Sequence, residues 1–314
     1  MNADTAPSQN ARIVSNSVKP AGLPRLSVLI PFYKESPCAL LNALGATAHS
    51  EIEVVVLDDG SQSADLTHAV SSTIDDLLVA TRLITLRYNE GRARGRNRLA
   101  AEAKGDYVLF LDADMLPDST GFLDRWLSQT RDGPAVVFGG FSLRQAPTDR
   151  AYDVHRVMAL KSHCLDVATR SRWPEKHVYT CNLLVRRDVI GAQVFATDFN
   201  GWGWEDVEWA TRVVQEFGVR HIDNPATHMG LDRAEVLARK FEQSVGNFGL
   251  MVKRHPDATS KYPSYRLARL IRRLPLRRAF RSGLKRVALI EAAPPKVRAL
   301  ALRIYRAALY SDVV

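Results

Sequence analysis

The chain predicts a doubly wound α/β fold, with a mostly parallel central sheet and flanking helices, followed by a basic helical tail. Three observations carry that expectation. Between residues 26 and 111, β-rich runs and helical stretches alternate four times, the rhythm of strand–helix–strand crossovers. The run Glu53-Val54-Val55-Val56-Leu57 is continuously apolar after its first residue, as in a strand covered on both faces. Carboxylates stand at the C-terminal ends of two such runs, at Asp58-Asp59 and at Asp112/Asp114, the edge where parallel sheets bind ligands.

The elements follow in order. Leu26-Ser27-Val28-Leu29-Ile30 is a first strand ended by Pro31. Residues 37–50 read as a helix with Ser36 as N-cap and Pro37 at its first position. The valine-rich strand 53–57 precedes a helical stretch near 65–80, and Leu83-Ile84-Thr85-Leu86 is a third strand. Residues 92–103 form a helix with Gly105 as its stop, and Tyr107-Val108-Leu109-Phe110-Leu111 is the fourth strand. Val136-Val137-Phe138, Asn182-Leu183-Leu184-Val185 and residues 220–223 are short strands. Apolar spacing predicts helices over 151–169, 205–217 and 233–253.

Bulk properties bound the rest. With 314 residues the chain can bury one large core or two modest ones. Hydrophobic residues at 46% and charged residues at 25% fit a folded soluble protein rather than a disordered one. Cys38, Cys164 and Cys181 are an odd count without C-x-x-C spacing, which disfavours a disulfide framework or zinc site and suits the cytoplasm. The polar opening lacks the apolar segment of a secretory signal, so residues 1–23 are expected to be a flexible tail. No run reaches the roughly 18–20 apolar residues of a membrane-spanning helix. The net charge of +9 is concentrated: residues 261–314 hold 14 Lys and Arg against 2 acidic residues, leaving −3 for the remainder.

Asp112-Ala113-Asp114 is the most informative segment. Two close carboxylates repel unless a cation sits between them. Mn2+ and Mg2+ prefer oxygen ligands and bridge to phosphates, so the segment reads as a metal–diphosphate anchor; its structural alternative is a solvated turn. Asp58-Asp59-Gly60-Ser61 is either a strand-to-helix turn or a carboxylate that accepts the ring N–H of a uracil-like base. Residues 89–97 open a helix with two glycines and three arginines, suited to phosphate oxygens. Arg92 and Arg94 read there as solvated, Arg96 and Asn97 as better candidates. In Gly201-Trp202-Gly203-Trp204-Glu205-Asp206, the indoles offer flat apolar surfaces for sugar rings. Glu205 and Asp206 open a helix, where negative charge is favoured, so a carboxylate there suits a general base; core tryptophans with an N-capping acidic pair are the alternative. His228 is either a structural histidine or, since imidazole is an acceptable transition-metal ligand, a ligand completing the shell begun by Asp114. His155, His163 and His177 read as structural or solvated, and Cys164 and Cys181 have no recognisable base.

Taken together, Ser27-Val28-Leu29-Ile30-Pro31-Phe32-Tyr33, Val56-Leu57-Asp58-Asp59-Gly60-Ser61, Asn89-x-Gly91 through Arg96-Asn97, and Gly105-Asp106-Tyr107 through Asp114 resemble the nucleotide-sugar glycosyltransferases of the GT-A fold, which is Rossmann-like, and in particular the inverting family 2. Gly201 to Asp206 and His228 resemble the catalytic part of β-1,4-galactosyltransferase-like enzymes. The chain departs from these patterns at Lys34, where an Asn is common, and at Val207, where a third acidic residue is frequent. The resemblance implies that Pro31, Tyr33 and Asp58, with Asp59 beside it, line the nucleoside pocket and that Arg96 stands near the nucleotide. It places Asp112, Ala113 and Asp114 on the ribose, donor sugar and diphosphate, with Asp114 and His228 as ligands of Mn2+ or Mg2+. Asp206 would be the base, while Trp202, Trp204 and Glu205 hold the acceptor. The implied reaction moves a hexose or N-acetylhexosamine from a UDP-linked donor to a glycan or lipid-linked acceptor in bacterial surface-polysaccharide synthesis. A sugar-1-phosphate nucleotidyltransferase is disfavoured because Pro31-Phe32-Tyr33-Lys34-Glu35 replaces the Gly-rich loop it needs. An inactive fold that binds membrane or nucleic acid is the other rival.

The domain expectation is a catalytic unit over 24–256 and a basic tail over 257–314. In the tail, Leu267, Leu270, Ile271 and Leu274 share one helical face among arginines. Such a helix suits an anionic membrane surface on the inner face of the cell membrane, through residues 264–310; packing on the catalytic unit is the alternative. No nucleic-acid partner is expected, since aromatic interleaving is missing.

Overall fold

In the central strand β2 (Leu26–Phe32), Val28 and Ile30 belong to one apolar cluster and Leu29 to another on the opposite face. Each residue of the strand therefore meets a covered surface, which explains its continuous apolar character. The computed structural model describes residues 11–314. The remaining strands are β1 (Ala11–Ser15), β3 (Ile52–Asp58), β4 (Ala80–Leu86), β5 (Tyr107–Leu111), β6 (Met115–Pro117), β7 (Val136–Phe138), β8 (Phe141–Ser142), β9 (Asn182–Arg186), β10 (Arg220–His221) and β11 (Ala226–His228).

Eight of them form one sheet in the order β1-β4-β3-β2-β5-β9-β7-β10. Strands β4, β3, β2 and β5 run parallel, while β1 and β9 are antiparallel to their neighbours. The chain winds outward from β2 to β3 and β4, then returns to β5 on the other side of β2. That reversal opens a crevice beyond the C-terminal ends of β2 and β5. Asp58-Asp59 and Asp112 thus end strands that flank β2 rather than adjoin each other. A second, three-stranded sheet, β6-β11-β8, lies at the same edge. The fold is GT-A-like in class: mixed α/β, with a mostly parallel sheet and helices on both sides.

Several expectations are corrected. The polar opening is not wholly a tail: Ala11–Ser15 pairs with β4, and Asn16 is buried, donating to the carbonyls of Ile74, Leu77 and Val79. Residues 1–10 of the expected tail lie outside the described residues. The helix expected over 151–169 breaks into Asp153–Ser162 and Val167–Ser171, where Asp166 caps the second piece. The helix over 233–253 divides into Ala234–Gln243 and Val245–Arg254 at the buried Ser244. The helix Arg92–Glu102 stops before Gly105, with Ala103 extended.

Gly105 has another task. A Cβ there would stand 2.7 Å from the backbone nitrogen of Ser27, while the Gly105 N–H donates to Ser27 Oγ at 2.8 Å. Ser27 is fixed in the ladders of β2 with β3 and β5, and Gly105 leads directly into β5, so there is little room to retreat. Gly105→Ala is expected to lower stability by roughly 1–3 kcal/mol, visible as a lower urea midpoint at unchanged slope.

The C-terminal helices Pro263–Arg272, Arg277–Leu289 and Pro295–Tyr310 are not separate from the catalytic unit. Ala299, Leu302, Tyr305 and Tyr310 share one buried cluster with Val154, Leu237, Phe241 and Phe248. Among the described residues, no helix is long and apolar enough to cross a membrane.

Candidate active site

Sheet register builds the centre of the site. β6 pairs antiparallel with β11 so that Met115 faces His228, and the Met229 N–H donates to the Asp114 carbonyl at 2.8 Å. The adjoining side chains meet: His228 Nε2 lies 3.1 Å from Asp114 Oδ2. Burial alone would lower the His228 pKa, but the hydrogen bond and charge of Asp114 raise it. Burial likewise opposes ionisation of Asp114, and His228 overcomes it, holding that carboxyl low. Gly230 stands against the same carboxylate; a Cβ there would collide with Asp114 Oδ2.

A carboxylate oxygen and an imidazole nitrogen facing each other, in a cradle kept clear by glycine, fit a divalent ion such as Mn2+. Among the described residues, no group of three or more His, Cys, Asp or Glu side chains forms a closed metal cage. A cation at Asp114 and His228 would therefore take further ligands from outside the chain. His155 packs its ring 5.6 Å from His228 and accepts the Asp232 N–H. Burial pulls its pKa down to about 4, so at neutral pH it supports His228 as an uncharged imidazole.

Arg96 joins this centre to the downstream motif. It is buried and reaches Asp112 Oδ1 at 2.9 Å and Glu205 Oε1 at 3.3 Å. Burial opposes its charge, but these two carboxylates more than compensate and raise its pKa. Arg96 thus bridges two carboxylates. Arg92 and Arg94 are both exposed, as expected, although Arg92 also faces Glu205 at 3.9 Å. Glu205 is buried and engaged by both arginines. That leaves it less free to hold an acceptor than the motif suggests, and better suited to set the charge beside Asp206. Asp206 is half-buried, and its Oδ1 accepts the adjoining Val207 N–H at 2.8 Å. Burial first, and the charge of Glu205 second, push its pKa up to about 7 against the opposing pull of Arg96.

Where a nucleoside is expected, Pro31 lies near the end of β2 and Tyr33 follows the strand, 45% exposed and open to a planar ligand. Asp58 is fully buried and accepts from the Ser61 N–H and the Thr67 hydroxyl. Asp59 accepts from Asn89 Nδ2 and the Glu90 and Gly91 N–H groups. Asp58 thus organises its own turn, while Asp59 ties that turn to the loop at 89–91; a base contact would use oxygen lone pairs left over. Asn97 likewise ties its helix to Phe195 by two backbone bonds.

The loop before the helix Glu205–Phe217 has positive φ at Gly201, Gly203 and Trp204. A left-handed Trp is unfavourable, and distant groups hold it there. Asn247 Nδ2 donates to the carbonyls of Asn200 and Gly203. The Trp204 indole packs 4.8 Å from Phe248 and donates to the Tyr310 hydroxyl at 2.9 Å. Trp202 leans on Phe241 at 5.9 Å. The tryptophans are therefore partly core residues, with only their remaining faces available to a sugar.

Tyr310, Asn247 and Gly230 are not singled out by the sequence, and His155 reads there as structural or solvated. Only Gly230, two residues after His228, carries a local signal. Tyr310→Phe is expected to raise KM for acceptor several-fold with little change in donor binding, since a lost hydrogen bond of about 1 kcal/mol loosens Trp204 but not Asp114. Initial-rate kinetics in both substrates check this. Burial raises the thiol pKa of Cys181, and that of Cys164 to about 11, in keeping with no assigned chemistry.

The profile of the family described as Glycosyl transferase family 2 matches residues 27–192. Among curated proteins, the chain is 31% identical over 122 residues to polypeptide N-acetylgalactosaminyltransferase 3 of Drosophila melanogaster, covering 37% of this chain and 18% of that one. It is 36% identical over 95 residues to the uncharacterized glycosyltransferase YfnE of Bacillus subtilis (strain 168), covering 29% of this chain and 24% of that one. The chain thus spans about a quarter or less of the length of these relatives. Among solved structures, it resembles the mannosyltransferase PcManGT from Pyrobaculum calidifontis in complex with GDP-Man and Mn2+, with a TM-score of 0.60 at 18% identity over 93% of this chain and 88% of that one. It also resembles S. aureus TarS in complex with UDP-GlcNAc, with a TM-score of 0.52 at 16% identity over 92% and 90%. At these identities the likeness is one of fold.

Proposed function

We propose a reaction for a chain that belongs to glycosyl transferase family 2 and is therefore a glycosyltransferase: inverting, metal-dependent transfer of a hexose or N-acetylhexosamine from a nucleotide-diphosphate sugar to a hydroxyl of a glycan or lipid-linked acceptor. The observation that carries it is the joining of Asp112, Arg96 and Glu205 in one bridged array, with Asp114 and His228 on one side and Asp206 on the other. The neighbours' ligands, UDP-GlcNAc and GDP-Man, support a nucleotide-sugar donor; we favour a UDP-linked one.

In this reading Tyr33 flanks the base, Asp112 orients the ribose or donor sugar, and Asp114 with His228 holds Mn2+ or Mg2+ on the diphosphate. The ion, when bound, supplies Lewis-acid stabilisation of charge on the departing diphosphate. Asp206 takes the proton from the acceptor hydroxyl as that oxygen attacks the anomeric carbon from the face opposite the leaving nucleotide, and a single displacement inverts the configuration. Arg96 keeps Asp112 and Glu205 in register, and Glu205 keeps Asp206 basic. The exposed faces of Trp202 and Trp204 carry the acceptor. Surface-polysaccharide assembly at the inner face of a bacterial cell membrane is the setting that a lipid-linked acceptor and a basic helical region fit.

A thermal-shift screen of UDP- and GDP-sugars, with and without Mn2+, tests the reading. A hundredfold excess of the right donor over its Kd adds about 2.7 kcal/mol. One donor should raise the melting temperature only with metal; no response to any nucleotide sugar would refute the proposal.

A further inference from the structure

We propose that the outer face of the C-terminal helices is a docking surface for an anionic phospholipid bilayer, centred on Leu270, Leu274, Leu276 and Phe280. The proposal rests on the peripheral location and lipid-linked acceptor of the preceding reading for its purpose, but not for its physical basis.

The inner side of this region is accounted for. Helix Pro263–Arg272 buries Ala268 and Ile271, and Ile271 packs with Ala307 and Ala308 of the last helix. What remains outward is apolar as well: Leu270 is 61% exposed, Leu274 45%, Leu276 82% and Phe280 40%. Leu276 also has a left-handed backbone, φ 57°, unfavourable for a residue with a Cβ. A leucine held in that conformation and left almost wholly in water gains nothing from the fold of the isolated chain. It gains from a partner that removes it from water.

The charges say what that partner is. Arg269, Arg272, Arg273 and Arg278 are exposed around the same apolar residues. Among the described residues they make no ion pair, whereas their neighbours Arg277 and Arg281 are held by Asp312. Cations interleaved with exposed leucines match a headgroup layer over acyl chains. A nucleic acid would match the cations but offers no acyl layer to cover the exposed leucines, and a single strand would call for flat aromatic platforms, where this face has a single Phe. The sequence pattern alone puts Ile271 on the membrane side; the structure turns it inward and moves the contact to the edge defined by Leu270, Leu274 and Leu276.

Position gives the surface its use. Tyr262, 6.0 Å from Trp204, immediately precedes the helix carrying Leu270, which lies about 12 Å further along the axis. A bilayer on this face would lie beside the acceptor loop, within reach of a lipid-linked hydroxyl.

Co-sedimentation of the full chain with vesicles tests the proposal. Wild type should bind vesicles of mixed phosphatidylglycerol and phosphatidylcholine, bind pure phosphatidylcholine at least about tenfold less, and weaken as salt rises. The variant L270S/L274S/L276S and the variant R272E/R273E/R278E should each lose binding by about tenfold or more. Both should keep the wild-type melting temperature and donor response, because no altered side chain is buried. Binding by both variants equal to wild type, equal binding to neutral vesicles, no binding by wild type, or preference for duplex DNA over anionic vesicles would each overturn it. Should one variant misfold, the other and the salt titration still decide. Vesicle binding without any donor response would sink the proposed reaction and leave this surface standing; the converse would do the opposite.

Discussion

Asp206→Asn is expected to lower kcat by about 10²–10⁴, the usual contribution of a placed base, while Mn2+-dependent donor stabilisation stays at the wild-type level. The reason is that the two groups stand on different elements. Asp206 opens the helix Glu205–Phe217, whereas the pair suited to the metal, Asp114 and His228, sits where β6 meets β11. Asn keeps the size of the side chain and the N-terminal helix position, so the change isolates proton acceptance. The wild-type pH profile should carry the same signature. With the Asp206 carboxyl pushed up to about 7, the competent, ionised form accumulates as pH rises, so kcat/KM should climb through about pH 7 and then level. The native pKa lies above the unfolded one, so the folded state binds more protons between the two values and stability falls as pH rises across that interval. The Asn variant should lose this slope and be the more stable protein above pH 7. Urea midpoints at several pH values measure that, and an unchanged slope in the variant would remove Asp206 from the role of raised carboxyl.

Much of the crevice is legible in the sequence because it is built from long, buried strands. β2, β3 and β5 display nearly continuous apolar runs, with carboxylates at the ends of β3 and β5, and such runs survive any tertiary context that covers both faces. The short strands are different. β6, β8 and β11 have two or three residues each, too few to show a period. Yet their register is what brings Asp114 to His228 across 114 positions of chain. The tail illustrates a second limit. Periodicity identifies the stripe Leu267, Leu270, Ile271 and Leu274, but a stripe does not name its partner. Ala307 and Ala308 cover Ile271, and only the packed helices reveal that Leu270 and Leu274 stay outside. Likewise, the glycines of 201–204 suggest a mobile turn, whereas Tyr310 and Asn247, far along the chain, pin it.

Asp114→Ala is expected to abolish the Mn2+-dependent part of donor stabilisation. Replacing groups that merely orient a ligand already weakens metal affinity or activity by about 10–100-fold, and here the change removes the oxygen itself. The expected loss therefore exceeds that range, and because His228 would then be the one remaining side-chain donor of the pair, raising Mn2+ should not restore turnover within a usable range. Two companion variants separate charge from geometry. Asp114→Asn keeps an oxygen but removes the single negative charge of the pair, so only a weak response carried by two neutral donors should persist. Gly230→Ala leaves both donors in place and drives a Cβ into Asp114 Oδ2, so it should displace the carboxylate and weaken Mn2+ binding without removing a charge. A graded Mn2+ titration, read by melting temperature at fixed donor, orders the three: Gly230→Ala and Asp114→Asn between wild type and Asp114→Ala. Equal Mn2+ responses in wild type and Asp114→Ala would move the metal away from this carboxylate, and with it the orientation of the donor across the crevice.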